Sequence, residues 1–233
     1  MKVSAKPTDS NHLLSKYYNF QFSTFNCDTK GSIMVQLMML PLGDYQTNCY
    51  LAWESGSDTC VVIDPGYEPE EILRKAGMAG KQVEAILLTH GHFDHVGGVE
   101  EIADKTGCSV YIHKADSQMQ PAMLFPLTGK AFEKLEEGQT LALAGLEIKV
   151  LHTPGHTPGS VCFQFADCLI TGDTLFAGSV GRTDFPGGDW NRMCRSLVRL
   201  KDLKDDYQVY PGHGEATKLS VEKQKNPYLK GLL

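Results

Sequence analysis

From residue 33 onward the chain alternates short apolar runs with turn-forming residues, and amphipathic stretches fall between some of the runs. Short apolar runs bounded by turn formers predict β-strands, and apolar residues at helical spacing predict helices. The predicted strands are Val35–Leu40, Cys49–Glu54, Thr59–Ile63, Ala85–Leu88, Ser109–His113, Leu146–His152, Ser160–Phe165, Cys168–Thr171 and Gln208–Tyr210. The predicted helices are Pro69–Ala76, Val99–Thr106, Ala115–Gln120 and Trp190–Lys201. Because strands outnumber helices and the two kinds are grouped, an α+β fold of packed sheets flanked by helices is favoured over one doubly wound parallel sheet.

Residues 1–32 lack this pattern. They carry scattered lysines and an aromatic patch, but no continuous apolar segment of the kind that a signal peptide requires. We predict an N-terminal extension over residues 1–32, either accessory or dispensable, and one domain over residues 33–233. A methionine at 34, 38 or 39 could equally be the natural start.

The composition excludes several function classes. The 233 residues are 42% hydrophobic and carry a net charge of -6, so no broad basic surface is available for a nucleic acid. No apolar run approaches the ~18 residues that cross a membrane. The seven cysteines are scattered and contain no C-x-x-C pair, which disfavours a disulfide framework or a zinc knuckle and favours the reducing cytoplasm.

One short segment concentrates metal-binding side chains directly after the predicted strand Ala85–Leu88. It contains His90, His92, Asp94 and His95 within six residues. Residues two apart in extended chain point the same way, so His90 and His92 can bind one ion, while Asp94 and His95 turn toward a second as the chain curls. Three histidines and an aspartate at this spacing favour a metal site over a solvated loop.

Three later residues share one local pattern, an apolar strand followed by a glycine-bordered loop that carries a potential ligand. They are His156, Asp173 and His213. With the first segment they supply five histidines and two aspartates, enough for two divalent ions if a carboxylate and a solvent oxygen are shared. Nitrogen and oxygen ligands without sulfur fit zinc as the first choice, with iron or manganese as alternatives. Such ions lower the pKa of bound water toward ~7, which supplies hydroxide at neutral pH.

This pattern resembles the metallo-β-lactamase fold superfamily over residues 33–233. Within it the chain is most similar to the short, single-domain bacterial branch of glyoxalase II, the hydroxyacylglutathione hydrolases. The segments behind the closer match are Asp64-Pro65-Gly66, residues 176–189, Pro211-Gly212-His213-Gly214 and Asn226-Pro227-Tyr228-Leu229. The resemblance implies a four-layer αβ/βα sandwich, with two mixed sheets between outer helices.

The resemblance also implies residue roles. It assigns His90, His92 and His156 to one ion and Asp94, His95 and His213 to the other, with Asp173 shared and with Asp94 and Asp173 as the catalytic carboxylates. Asp64 matches a position that orients a ligand imidazole, although an Asp-Pro-Gly turn ending a strand is the alternative. Arg182 falls where long glyoxalase II enzymes place a basic residue toward substrate carboxylates, and an ion pair with Asp184 is the alternative. His12, His113 and His152 are predicted to be structural or surface residues.

The implied activity is hydrolysis of S-2-hydroxyacyl thioesters such as S-lactoylglutathione, by attack of a bridging hydroxide on the carbonyl carbon. The expected partner is therefore a small-molecule thioester, with no nucleic acid and no membrane, and the oligomeric state is open. A mononuclear Fe(II) persulfide dioxygenase of the same fold is one alternative, because residues 181–185 are also similar to its motif. A β-lactamase is another. A non-catalytic metal-binding module is disfavoured because no ligand is missing.

Overall fold

The computed structural model describes residues 22–26, 34–117 and 132–232, in which strands predominate. The strands are β1 Phe22–Asn26, β2 Met34–Leu42, β3 Thr47–Glu54, β4 Thr59–Ile63, β5 Gln82–Leu87, β6 Ser109–His113, β7 Glu133–Leu135, β8 Thr140–Leu143, β9 Leu146–His152, β10 Val161–Phe165, β11 Cys168–Gly172, β12 Leu175–Phe176, β13 Ser179–Val180, β14 Gln208–Pro211 and β15 Thr217–Lys218. The helices are α1 Pro69–Met78, α2 Phe93–Val96, α3 Val99–Thr106, α4 Lys114–Ser117, α5 Trp190–Lys201, α6 Leu219–Lys225 and α7 Pro227–Lys230.

Two mixed sheets carry the fold. The first has the order β1-β2-β3-β4-β5-β6-β7, antiparallel as far as β4 and parallel beyond it. The second has the order β15-β14-β11-β10-β9-β8, in which only β11 and β14 run parallel. Strands β12 and β13 form a separate hairpin. This arrangement confirms the predicted α+β class with two mixed sheets flanked by helices.

Local sequence explains where the main elements begin and end. Strand β3 is buried at every position before Glu54, as expected for a central strand covered on both faces. Helix α5 begins after Asp189, whose side chain accepts a hydrogen bond from the Arg192 backbone amide. Helix α3 ends at Gly107 in the left-handed conformation that favours glycine.

The core lies between the two sheets and continues beneath helices on both outer sides. Helices α1 and α3 bury Ile72 and Ile102 in the cluster that also joins the facing strands of both sheets. A second cluster places Met193 and Leu197 of α5 against strands β9, β10 and β11. The layers are therefore helix, sheet, sheet, helix. No helix in residues 34–117 or 132–232 is long and apolar enough to span a bilayer.

The sequence pattern missed mainly short elements, namely β7, β8, β12, β13, β15, α2, α6 and α7. Apart from the seven-residue α6, these elements have two to four residues, which bury too little apolar surface to leave a clear period. The helix predicted at Ala115–Gln120 is instead the four-residue α4, and residues 118–120 lie outside the described part of the chain. Within the predicted extension, Phe22–Asn26 pairs with β2 as an edge strand. The role of residues 1–32 stays a prediction, and His12 lies outside the described residues.

Candidate metal centre

The seven predicted ligands meet at one edge of the sandwich, although they come from both sheets. His90 and His92 follow β5, Asp94 and His95 lie in α2, His156 lies between β9 and β10, Asp173 follows β11 and His213 follows β14. Strand ends of both sheets therefore converge on one cluster.

The first group of side chains is His90, His92 and His156, each buried and each able to offer a nitrogen within 4.8 Å of the others. Nε2 of His90 lies 3.1 Å from Nδ1 of His92. The His156 ring centroid is 4.8 Å from that of His90 and 4.5 Å from that of His92. His92 is in extended backbone immediately before α2, which turns it to the same side as His90, as the spacing predicts.

The second group is Asp94, His95 and His213, also within 4.8 Å of one another. Oδ2 of Asp94 lies 3.2 Å from Nε2 of His213 and 3.6 Å from Nε2 of His95. Asp173 stands between the groups, with Oδ2 3.4 Å from His156 Nε2 and 3.7 Å from His213 Nε2, and Oδ1 3.5 Å from His95 Nε2. One carboxylate therefore faces both sets of imidazoles.

Oxygen acceptors outside the cluster fix the tautomers of His156 and His213. His156 Nδ1 lies 2.7 Å from the Arg182 carbonyl oxygen, and His213 Nδ1 lies 3.2 Å from that of Tyr45. A carbonyl oxygen only accepts, so each Nδ1 carries the proton. In the neutral ring, each Nε2 then presents a lone pair to the cluster, which is the form that binds a metal ion.

Asp64 gives His95 the same tautomer and reaches His90 through a threonine. Its Oδ2 lies 2.9 Å from His95 Nδ1 and accepts from Thr89 Oγ1 at 2.6 Å. Thr89 Oγ1 lies 3.1 Å from His90 Nδ1 and, having given its proton to Asp64, accepts there. Asp64 has φ +52° at the end of β4, so the turn and the contact with His95 occur together. Since its oxygens already accept hydrogen bonds, we regard Asp64 as a support and not a ligand.

Charge and burial prepare the cluster for cations. Burial, reinforced by neighbouring imidazoles, holds the pKa of His90 well below its usual range and lowers that of His92 to about 4, so both are neutral near pH 7. Burial also opposes a charge on His95, but the carboxylates of Asp173 and Asp64 prevail and raise its pKa to about 9. The negative charge of those carboxylates would equally attract a metal ion.

Unpaired atoms provide the test of whether these residues fit metal ions. Among the described residues, four buried atoms of the cluster have no hydrogen-bond partner, and they are His92 Nε2, His95 Nε2, His156 Nε2 and Asp173 Oδ1. Burying an unpaired polar atom is costly unless something else satisfies it. Divalent metal ions would satisfy such nitrogen and oxygen atoms, so these side chains fit divalent metal ions.

Arg182 takes the second of its two predicted arrangements. Its Nε and Nη2 each donate to an oxygen of Asp184 at 2.7 Å, and both side chains are exposed. The guanidinium lies 3.7 Å from the centroid of the Phe185 ring, whose centroid is 6.0 Å from that of His92. A role for Arg182 toward substrate stays a prediction.

Three supporting residues at the start of β3 were not found from the sequence. Thr47 donates to Asp94 Oδ2 at 3.2 Å. The side chains of Asn48 and Tyr50 donate to the Pro211 carbonyl oxygen at 3.0 and 2.6 Å, at the end of β14 just before the loop that carries His213. The available signal was that Thr47 and Asn48, two polar residues, begin an otherwise apolar strand.

A sequence model described as the metallo-beta-lactamase superfamily matches residues 42–213, which contain all seven cluster residues. The chain belongs to the metallo-beta-lactamase superfamily. Hydroxyacylglutathione hydrolase GloC of Haemophilus influenzae is 32% identical to it over 213 residues, 84% of this chain and 98% of GloC. These matches confirm the resemblance seen in the sequence, including its glyoxalase II-like branch.

Solved structures agree with this membership of the metallo-beta-lactamase superfamily. The BLEG-1 B3 metallo-beta-lactamase has a TM-score of 0.75 and 33% identity, covering 84% of this chain and 100% of that one. TTHA1623, solved in a di-iron-bound form, has a TM-score of 0.71 and 38% identity, covering 82% and 99%. The chain is a metallo-hydrolase of this superfamily with a His and Asp cluster that could bind metal.

Proposed function

We propose that this chain hydrolyses S-2-hydroxyacyl thioesters of the S-lactoylglutathione class with two divalent ions held by the seven-residue cluster. The position of Asp173 carries the proposal, because its carboxylate faces His156 of the first group and both His95 and His213 of the second. A shared carboxylate between two sets of ligands is what a dinuclear site requires.

The ions would supply Lewis acidity toward the thioester carbonyl and a water of lowered pKa. The chain itself keeps the ligand nitrogens aimed inward through the Nδ1 contacts of His95, His156 and His213. A thiol has a pKa near ~8.5, so the thiolate leaves without a protein acid to protonate it. This agrees with the composition of the cluster, in which all seven side chains are proposed metal ligands and none is left to act as a separate acid.

Aromatic rings border the cluster on two sides and would pack against apolar parts of a substrate. The Phe185 ring centroid is 6.0 Å from that of His92, and the Phe176 centroid is 6.2 Å from that of His213. The name of the GloC relative supports the acyl-thiol class. For the metal we propose zinc first, and the di-iron form of TTHA1623 supports iron as the alternative.

The cytoplasm is the compartment that we propose. Its support is that free thiols occur in the described part of the chain, and they are Cys49, Cys60, Cys162 and Cys194.

Replacing Asp173 by alanine tests the dinuclear site. We expect metal content to fall and thioester turnover to drop by more than the ~10–100-fold that loss of an outer partner costs. Metal per chain by atomic emission and thiol release from S-lactoylglutathione are the measurements. Asp58→Ala is the matched control, because Asp58 is an exposed carboxylate just before β4, at the end of that strand away from Asp64, and it should keep both properties. Full thioesterase activity in Asp173→Ala would disprove the assignment.

A substrate panel separates this proposal from its rivals. Zinc-loaded and iron-loaded protein are each offered S-lactoylglutathione, S-propionylglutathione without the 2-hydroxyl, a chromogenic cephalosporin, and glutathione persulfide with oxygen. We expect the 2-hydroxyacyl thioester to give the highest kcat/KM. Faster cephalosporin hydrolysis would favour the β-lactamase alternative, which the likeness to BLEG-1 supports. Oxygen uptake with the persulfide would favour the dioxygenase.

A further inference from the structure

Asp116 of helix α4 is a fully buried carboxylate that the proposed function leaves unexplained. Its Oδ2 accepts from the Gly91 amide at 2.9 Å and from Thr157 Oγ1 at 2.7 Å. Its Oδ1 accepts from the Gly159 amide at 2.6 Å. Three donors to one buried side chain indicate a fixed junction, because burying a carboxylate costs free energy that such bonds must offset.

Each of those donors belongs to a loop that carries a ligand of the first group. Gly91 lies between His90 and His92, whereas Thr157 directly follows His156. The first loop extends from the first sheet and the second connects β9 to β10 of the other sheet. Asp116 therefore links the two sheets at the point where His156 meets the other two imidazoles.

The chemistry of this junction requires a carboxylate. Both of its oxygens accept, whereas an asparagine would point an N–H group at one of the amide donors. The approach is also close, because a Cβ on Gly159 would lie 2.5 Å from Asp116 Oδ1. A side chain at position 159 would push the two loops apart.

The second group has different supports. Asp64 contacts His95, Thr47 contacts Asp94, and the Tyr45 carbonyl contacts His213. None of these contacts involves Asp116. Asp64 also reaches His90 through Thr89, and apart from that shared support the two halves of the cluster are held by separate hydrogen bonds.

We infer that Asp116 is a positioning residue that sets the spacing of the His90–His92 loop and the His156 loop and so determines the affinity of the first group alone for its metal ion. This inference rests on the proposed function, since it assumes that the cluster binds two ions. Asp116 itself touches neither ion nor substrate.

Stepwise metal removal tests the inference. Zinc-loaded protein is dialysed against increasing EDTA, and zinc per chain is measured together with the melting temperature. For Asp116→Asn we expect one of two ions to leave at an EDTA concentration about 10–100-fold lower than in the wild type, with the other unchanged. Thr157→Val removes only one hydrogen bond to Asp116 and should shift the same ion less, which keeps the test open if Asp116→Asn does not fold.

Two backgrounds identify which ion is affected. In His156→Ala, which already lacks a ligand of the first group, Asp116→Asn should remove no further zinc. In His213→Ala, it should lower by about 10–100-fold the EDTA concentration at which the remaining ion leaves. A role in general stability would not produce this difference, because it would act alike in both backgrounds.

Glu222→Gln is the matched control, because Glu222 is also a buried carboxylate that accepts from an amide, a threonine and an asparagine. It should lower the melting temperature and leave both ions in place. If Asp116→Asn behaves like Glu222→Gln, or weakens both ions equally, the inference is wrong while the proposed function stands. If wild-type protein binds no zinc, iron or manganese, the proposed function and the inference fail together.

Discussion

A histidine binds a metal ion through a ring nitrogen without a proton, and here an oxygen atom outside the cluster determines which nitrogen that is. For His213 the oxygen belongs to the Tyr45 backbone, 168 residues away in sequence. For His156 it belongs to the Arg182 backbone. The sequence predicts that these histidines are ligands, but a backbone carbonyl has no residue identity and leaves no signal in a sequence.

Arg182 gives the prediction at this scale. Because its guanidinium is paired with Asp184 and stacked on Phe185, we expect it to act on substrates through the Phe185 ring. Arg182→Ala should then raise KM within about fivefold, as loss of an exposed ion pair allows, and equally for thioesters with and without a carboxylate on the thiol. Steady-state kinetics on such a pair is the measurement. A rise confined to the carboxylate-bearing substrate would show direct binding instead.

The short helix α2 shows how one element presents two ligands at once. Asp94 and His95 are adjacent in it, and the helix lies close against the Asp64-Pro65-Gly66 turn. A Cβ on Gly66 would lie 1.6 Å from the Asp94 carbonyl oxygen. The glycine in this turn is therefore required by the packing of α2 against it.

Substituting this glycine tests the packing. Gly66→Ala should destabilise the fold by at least about 1–3 kcal/mol, because the clash is with backbone and α2 must move. Gly77→Ala is the control, since Gly77 lies in helix α1 with nothing within 4 Å of the added Cβ. It should raise stability by up to about 1 kcal/mol. Urea denaturation of both variants measures the difference, and equal midpoints would contradict the account of α2.

At the scale of the whole molecule, the site exists because strand ends of two sheets meet along one edge. A second contact between the sheets lies beside it, where His113 of β6 stacks on His152 of β9 with ring centroids 4.1 Å apart. Both were predicted to be structural or surface residues. Burial and the neighbouring His152 lower the pKa of His113 to about 4, although Glu136 acts in the opposite direction.

This pKa gives a pH prediction. An unfolded histidine titrates near 6.5, so between about pH 6.5 and 4 the unfolded chain binds the proton and the folded chain does not. The contribution of His113 to stability is therefore present above pH 6.5 and is lost as the pH falls toward 4. His113→Phe keeps a ring in the stack and should lose less melting temperature than wild type between pH 7 and 4. Parallel curves for the two proteins would contradict the assignment.

The sequence by itself determined the class of fold, the main strands and helices, and the seven residues of the cluster. It could do so because apolar period and ligand spacing are local properties of the chain. Only the tertiary structure decided that Asp173 stands between two groups, that Arg182 pairs with Asp184, and that Asp116 joins the loops of the first group. Those facts depend on which strand ends become neighbours, and contacts between residues distant in sequence are fixed by the packing of the two sheets.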